Sequence, residues 1–251
     1  MTNDTSPTTT SPNRDRRTGA PVPDAAPPSG PPRRSGLFNE IGILREPLRL
    51  AVRTPGLVRA PRGDGRLTIT IPGWFAPESS LAPIRSFLGR TGHDARSWGL
   101  GVIRNDVEST RDRFIERLER QVDAAQRPAH LVGWSLGGVI ARETARDRPD
   151  LVHRVVTFGT PAIGGPTYTA GADRLGPDEC RRIEALQTEL DETNPITTPI
   201  TAIYTRRDGV VDWRACIDRY STSVEHVEVR STHVGLGVDP DVWQITARAL
   251  A

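Results

Sequence analysis

The chain has 251 residues and a formal net charge of +2 at pH 7, and all 33 of its basic residues are arginine. This balance of charge does not favour a nucleic-acid partner, and the lack of lysine excludes Schiff-base and Ser-Lys chemistry. Two cysteines, Cys180 and Cys216, are too few for a disulfide framework, so we expect reduced, buried thiols. Neither a secretory signal nor an apolar run of membrane-spanning length is evident, which predicts a cytoplasmic protein. The sequence suggests no metal or cofactor site.

The first part of the chain divides into two predicted segments. Residues 1–36 are rich in Thr, Ser, Pro and Arg, a composition that predicts a disordered tail. Residues 37–60 carry apolar side chains at helical spacing with arginines between them, which predicts an amphipathic segment packed on the core, although Pro47 interrupts it. An alternative role for residues 37–58 is weak contact with an anionic membrane surface. The oligomeric state is left open.

Residues 61–251 alternate between predicted strands and helices. The strands are expected at Leu67–Ile71, Ala95–Leu100, His130–Gly133, Val155–Phe158, Ile200–Tyr204 and Val224–Val229. Helices are expected at Leu81–Gly89, Val107–Ala125, Leu136–Arg146, Asp178–Leu190 and Asp239–Leu250. This alternation predicts an α/β fold with a mostly parallel, doubly wound sheet of about six strands, flanked by helices. The strand-free stretch at about 159–198 is typical of a lid-like insertion.

The most informative motif is G-x-S-x-G, which runs from Gly133 to Gly137 with Ser135 at its centre. An apolar strand precedes it and a helical pattern follows it, which is the context of a nucleophile elbow. The elbow holds its serine in a strained backbone conformation, and side chains two residues away on either side would collide with it. Ser135 is therefore the candidate nucleophile.

A serine hydroxyl needs a histidine to accept its proton and a carboxylate to orient that histidine. Among five histidines, His233 alone follows the last predicted strand in a turn-like segment, which makes it the candidate base. Asp208 follows the preceding strand and is the favoured acid, with Asp212 as its competitor. The position after the strand ending at Phe158 holds no carboxylate, which strengthens the choice of Asp208.

A tetrahedral intermediate also needs N–H donors for its oxyanion. Leu136 follows the nucleophile and begins a helix, so its N–H is one candidate. The second is expected from the loop that follows the first strand, where Gly73 lets the backbone approach closely. Trp74 is the favoured donor there, and Phe75 is the alternative.

Four segments, taken together and in this order, resemble the α/β-hydrolases of the bacterial serine esterase and lipase type: Pro72–Trp74, Gly133–Gly138, Asp208–Val211 and Thr232–Leu236. The resemblance runs from about residue 65 to the end and implies a reduced six-strand core, with Ser135, His233 and Asp208 as the catalytic triad. The main hypothesis is hydrolysis of small to medium acyl or lipid-like esters, for which Phe75, Trp134 and Ile163 are expected to line an apolar acyl pocket. Acyl transfer and thioester hydrolysis use the same machinery and remain open. An inactive, binding hydrolase-like protein is a lower alternative. The few apolar positions of the helix in the insertion argue against a strict long-chain lipase.

Overall fold

The computed structural model describes residues 59–104 and 107–251, together with Leu57 and two short stretches at 26–28 and 30–32. Most of the predicted tail (1–36) and of the predicted amphipathic segment (37–60) therefore lies outside the described residues, as does most of the proposed membrane contact at 37–58. Within that segment Leu57 is buried in an apolar cluster of the core.

The core is a single sheet of six parallel strands, as the alternation of elements predicts. The strands are β1 (Leu67–Ile71), β2 (Asp94–Ser97), β3 (Ala129–Trp134), β4 (Val152–Phe158), β5 (Ile200–Tyr204) and β6 (Val224–Glu228). Their order across the sheet is β2-β1-β3-β4-β5-β6, and every neighbouring pair is parallel. All residues of β1 and β5 are buried, because helices cover both faces of a parallel sheet.

Helices flank the sheet on both sides. They are α1 (Ala82–Arg90), α2 (Val107–Ala125), α3 (Leu136–Asp147), α4 (Ala172–Leu175), α5 (Pro177–Thr193) and α6 (Pro240–Leu250). Helices α2 and α3 share one apolar cluster with the sheet, whereas α1 and α6 share another. In α2 the buried residues Phe114, Leu118 and Val122 recur every fourth position, which forms one apolar stripe. Burying each such side chain stabilises the fold by roughly 1.5–3 kcal/mol.

The insertion between β4 and β5 contains two helices, α4 and α5, where the sequence predicts one. Gly176 separates them because it adopts φ +84°, a left-handed value that favours glycine, and Pro177 then begins α5. Among the residues that the structure describes, no helix combines the length and apolarity needed to cross a membrane.

The strand order creates a crevice at one position. The chain leaves β1 toward β2 on one side, then crosses to β3 on the other side of β1. At such a switch point the loops that follow the two strands diverge and leave a crevice at the carboxyl end of the sheet. The loop Pro72–Phe75 after β1 and Ser135 after β3 lie at this crevice.

Candidate active site

Ser135 occupies a strained turn between β3 and α3. Its backbone has φ 53° and ψ −122°, a conformation that L-residues rarely adopt. The turn is held by the Ser135 N–H, which donates to the carbonyl oxygen of Phe158 at 3.0 Å. The hydroxyl of Thr160 donates to the carbonyl oxygen of Ser135, also at 3.0 Å. The end of β4 therefore fixes both sides of the strained residue.

The glycines of the motif are explained by backbone contacts. A Cβ atom at Gly133 would lie 2.4 Å from the Cα atom of Gly138. A Cβ atom at Gly137 would lie 2.3 Å from the carbonyl oxygens of Ile71 and Pro72. Because the colliding atoms belong to the backbone, they cannot move aside as a flexible side chain could. Glycine at both positions lets α3 sit directly against the ends of β1 and β3.

His233 and Asp208 are joined by a short hydrogen bond. His233 Nδ1 lies 2.8 Å from Asp208 Oδ2, and both side chains are almost fully buried. The other carboxylate oxygen, Oδ1, accepts the N–H groups of Val210 and Val211 at 2.8 and 2.7 Å. The carboxylate is thus held by its own loop, and it orients the imidazole. A histidine bonded at Nδ1 in this way has Nε2 as the nitrogen that can take a proton.

The imidazole of His233 packs beside the elbow. The rings of His233 and Trp134 lie 5.8 Å apart, and the Trp134 indole N–H donates to the His233 carbonyl oxygen at 3.2 Å. Gly159, which follows β4, makes room for the imidazole, because a Cβ atom there would lie 3.0 Å from His233 Nδ1. Ser135, Asp208 and His233 thus follow β3, β5 and β6 at the same edge of the sheet.

Asp212, the competing carboxylate, has a different environment. Its Oδ1 accepts the N–H of Arg214 at 3.0 Å and caps the 3₁₀ segment Trp213–Cys216. It also pairs with the Arg214 guanidinium at 3.4 Å. The remaining histidines lie elsewhere: His226 accepts the Asp218 N–H, and the rings of His93, His130 and His153 cluster around the amino end of β3.

The loop after β1 comes close to the elbow. A Cβ atom at Gly73 would lie 3.4 Å from the Cβ atom of Ser135, so the backbone passes directly beside the candidate nucleophile. Trp74 forms an isolated parallel bridge with Ile103, in which the Phe75 N–H donates to the Ile103 carbonyl at 3.0 Å. The Phe75 N–H, the alternative oxyanion donor, is therefore engaged by the segment that follows β2. A bridge of this kind takes its bonds from the neighbours of its central residue, so the Trp74 N–H is directed away from Ile103.

The three residues predicted to contact substrate are placed differently from one another. Phe75 is 50% exposed and packs against Trp74, with ring centroids 4.8 Å apart and planes tilted by 31°. Trp134 is half-buried and holds the His233 loop through its indole N–H. Ile163 packs against the cluster around Tyr204 and Val211, and its N–H donates to the Ala215 carbonyl.

Sequence reasoning missed the contributions of Gly159 and Thr160. Both follow β4 directly, at the position where the sequence offers no carboxylate. A glycine beside a histidine loop and a hydroxyl beside the elbow would have been visible as candidates there.

Cys216 lies nearby as a buried free thiol, and Cys180 is also buried and free, as expected. Burial, followed by the charges of Asp208 and Asp212, raises the pKa of the Cys216 thiol well above its usual value. Within the described residues, no group of His, Cys, Asp and Glu is arranged to hold a metal ion.

Comparison with solved structures identifies the fold. The chain superposes on a metagenome-derived lipolytic enzyme with a TM-score of 0.55 at 14% identity, covering 76% of this chain and 94% of that one. It superposes on lipase B of Aspergillus fumigatus with a TM-score of 0.55 at 16% identity, over 74% and 52% of the two chains. A thioesterase domain from the curacin biosynthetic pathway gives 0.52 at 14% identity, over 76% and 92%.

The topology of the sheet and the loops that follow its strands define the α/β-hydrolase fold. The chain has this fold with a six-stranded core, as the sequence predicts. Its sequence matches no model of a protein family, and it matches no curated protein sequence.

Proposed function

We propose that this protein hydrolyses carboxylic esters through an acyl-enzyme formed on Ser135. The observation that carries the proposal is the His233–Asp208 pair, bonded at 2.8 Å beside a serine held at φ 53°. Proteins of similar fold carry the names lipase and thioesterase, which supports cleavage of acyl bonds in general. Small to medium acyl or lipid-like esters are the expected substrates.

In this mechanism Ser135 Oγ attacks the ester carbonyl while His233 Nε2 takes the hydroxyl proton. Asp208 keeps the imidazole in the required tautomer and stabilises its protonated form. The N–H groups of Leu136 and Trp74 stabilise the oxyanion, and losing one such donor typically costs about 2.7–4 kcal/mol of transition-state stabilisation. His233 then protonates the departing alcohol, and water releases the acid by the reverse sequence.

The test is active-site labelling followed by kinetics. A fluorophosphonate probe should label the wild-type protein at Ser135, and Ser135→Ala should lose both labelling and turnover of 4-nitrophenyl esters. The expected loss in kcat is about 10⁶-fold, the size seen when such a triad loses its nucleophile. Ser79→Ala removes an exposed serine and serves as the matched control. A chain-length series of 4-nitrophenyl esters then measures the acyl pocket.

Two results would contradict the proposal. Retention of most ester turnover by Ser135→Ala would move the nucleophile, and absence of labelling in the wild type would favour a binding protein with a hydrolase fold. Thioester hydrolysis and acyl transfer are separated by offering an acyl thioester and then an alcohol acceptor in place of water.

A further inference from the structure

Arg174, in the short helix α4 of the insertion, lies over the loop that carries the candidate oxyanion donor. Its guanidinium carbon is 5.5 Å from the centroid of the Trp74 ring and 5.7 Å from that of Phe75. Such distances are typical of cation–π contacts. Gly73 lies directly beside Ser135, and Trp74 is the next residue in the loop. The guanidinium therefore lies over the residue that follows the contact between this loop and the candidate nucleophile.

The position of Arg174 is built into the fold by contacts on two sides. Thr169 forms an antiparallel bridge with Val211, and the Ala170 N–H donates to the Val210 carbonyl oxygen at 2.7 Å. The chain just before α4 is therefore fastened to the loop that contains Asp208. On the other side the backbone of Gly171 rests against the indole of Trp74, since a Cβ atom there would lie 2.9 Å from the ring.

Within the described residues, no carboxylate matches the charge of Arg174. Other arginines of the insertion are paired: Arg181 with Asp178, and Arg182 with Glu179 at 2.7 Å. None of the carboxylates in the described part of the chain forms an ion pair with Arg174. Two apolar side chains beside it are exposed: Phe75, whose ring it faces, at 50%, and Leu175, the next residue along the chain, at 43%. One cation among exposed apolar side chains is suited to a ligand with a short apolar portion that ends in an anion.

We propose that Arg174 selects esters carrying an anionic oxygen group, a carboxylate or phosphate, a few bonds from the scissile carbonyl. This inference rests on the ester hydrolysis proposed above. The neighbouring rings of Trp74 and Phe75 hold the guanidinium in place before substrate binds, so less side-chain freedom is lost when the anion docks. Arg174 acts by binding substrate and takes no part in proton transfer.

The experiment compares kcat/KM for matched charged and neutral esters. On the acyl side the pair is mono-4-nitrophenyl glutarate and 4-nitrophenyl pentanoate. On the alcohol side it is 4-carboxyphenyl butyrate and phenyl butyrate. The wild type should prefer the charged ester in at least one pair, and Arg174→Gln should reduce that preference about fivefold, mainly through KM. The preference should also shrink at high salt, because the contact is exposed.

Three further variants separate a charge effect from a packing effect. Arg174→Lys keeps the charge and should retain most of the preference, whereas Arg174→Glu should reverse it. Arg181→Gln removes an exposed, paired arginine of the same insertion and should leave the preference unchanged. Thermal unfolding of each variant shows whether it is folded.

The outcomes distinguish the two proposals. If Arg174→Gln lowers turnover of charged and neutral esters equally in both pairs, the residue only supports the loop and the selectivity proposal is wrong, while ester hydrolysis stands. If the wild type hydrolyses neutral esters well and shows no preference for charged ones, the selectivity proposal is likewise wrong and ester hydrolysis stands. If it hydrolyses no ester at all, both proposals are overturned.

Discussion

Asp208 and Asp212 show how two carboxylates four residues apart acquire different surroundings. Asp208 points both oxygens inward, one to His233 and one to the N–H groups of Val210 and Val211. Asp212 caps a 3₁₀ segment and pairs with Arg214, whose side chain is 36% exposed. The difference arises from the turn at Asp208, because the carboxylate bonds to the backbone two and three residues ahead, as short acidic side chains often do.

Substitution of each aspartate by asparagine should separate their roles. Asp208→Asn places an amide against His233 Nδ1 and favours the wrong tautomer, so kcat for 4-nitrophenyl butyrate should fall by about 10⁴-fold, as for other triads. Asp212→Asn can still cap the 3₁₀ segment, so kcat should stay within about threefold of the wild type. A larger loss in Asp212→Asn than in Asp208→Asn would reassign the acid.

At the site, chain order constrains which residues the sequence can bring together. The positions of Ser135, Asp208 and His233 follow from their places after successive strands, because the carboxyl ends of parallel strands meet at one edge. The role of Trp134 was not accessible in this way. Because Trp134 is adjacent to Ser135, the sequence predicts that it contacts substrate. Its indole N–H donates to the carbonyl oxygen of His233, which is 99 residues further along the chain. Contacts at such separations depend on how loops close, and no local pattern records them.

At the scale of elements, buried ion pairs join α3 to the insertion. Arg146 of α3 pairs with Asp191 of α5 at 2.5 Å, and both side chains are almost fully buried. The same guanidinium contacts Glu143 and the carbonyl oxygens of Leu190 and Asn194, which lie at the end of α5. Arg142, one turn earlier, pairs with buried Asp218 at 2.7 Å. The helix that begins at the elbow therefore holds the carboxyl end of the insertion, while α4 lies at the opposite end of that insertion.

Removing Arg146 should destabilise the protein strongly because Asp191 would be left buried without its partner. We expect Arg146→Met to lower the free energy of unfolding by about 3–5 kcal/mol, measured by urea denaturation. The double variant with Asp191→Leu should recover much of that loss, since an apolar pair leaves no uncompensated charge. Arg181→Ala breaks the exposed pair with Asp178 and should change the stability by less than about 1 kcal/mol. Equal losses in the single and double variants would show that the pair itself carries little of the effect.

The elements were predictable to different degrees for physical reasons. The strands β1 and β5 and the helix α2 match their predicted bounds, because each is a strong apolar run or stripe with clear breaks at its ends. Strand β2 (Asp94–Ser97) begins one residue before and ends three residues before the predicted Ala95–Leu100, since this edge strand is partly exposed and has little apolar signal. Helix α4 was missed because four residues are too few to show periodicity, and only the left-handed Gly176 marks its end.

Across the whole molecule, the two ends of the sheet differ in the surroundings of their histidines. At the carboxyl end, His233 is held by a carboxylate. At the amino end, His130 is buried, with its ring 6.3 Å from that of His93 and 5.3 Å from that of His153. A surface cavity of about 250 Å³, lined by Arg62, Arg66 and Arg154 among others, borders His130. Burial, and then the positive charge of Arg66, lowers the pKa of His130 to about 3, and burial also lowers the pKa of His93.

These lowered pKa values predict a loss of stability in mild acid. The unfolded chain binds a proton at His130 below about pH 6.5, whereas the folded chain does so only near pH 3, so protons favour the unfolded state between those values. The contribution of His130 is complete above pH 6.5 and falls as the pH is lowered toward 3. Between pH 7.5 and pH 5 this residue alone should remove about 2 kcal/mol from the free energy of unfolding, measured by urea denaturation.

The matched variants for this measurement are His130→Leu and His153→Gln. His130→Leu cannot titrate, so its stability should fall less between pH 7.5 and pH 5 than that of the wild type, whatever its stability at neutral pH. His153 is exposed, and its replacement should leave most of the wild-type dependence intact. A wild-type stability that stays level down to pH 5 would mean that His130 gains a proton without cost in the folded state. In that case water would have to reach His130 at the amino end of the sheet in the folded protein.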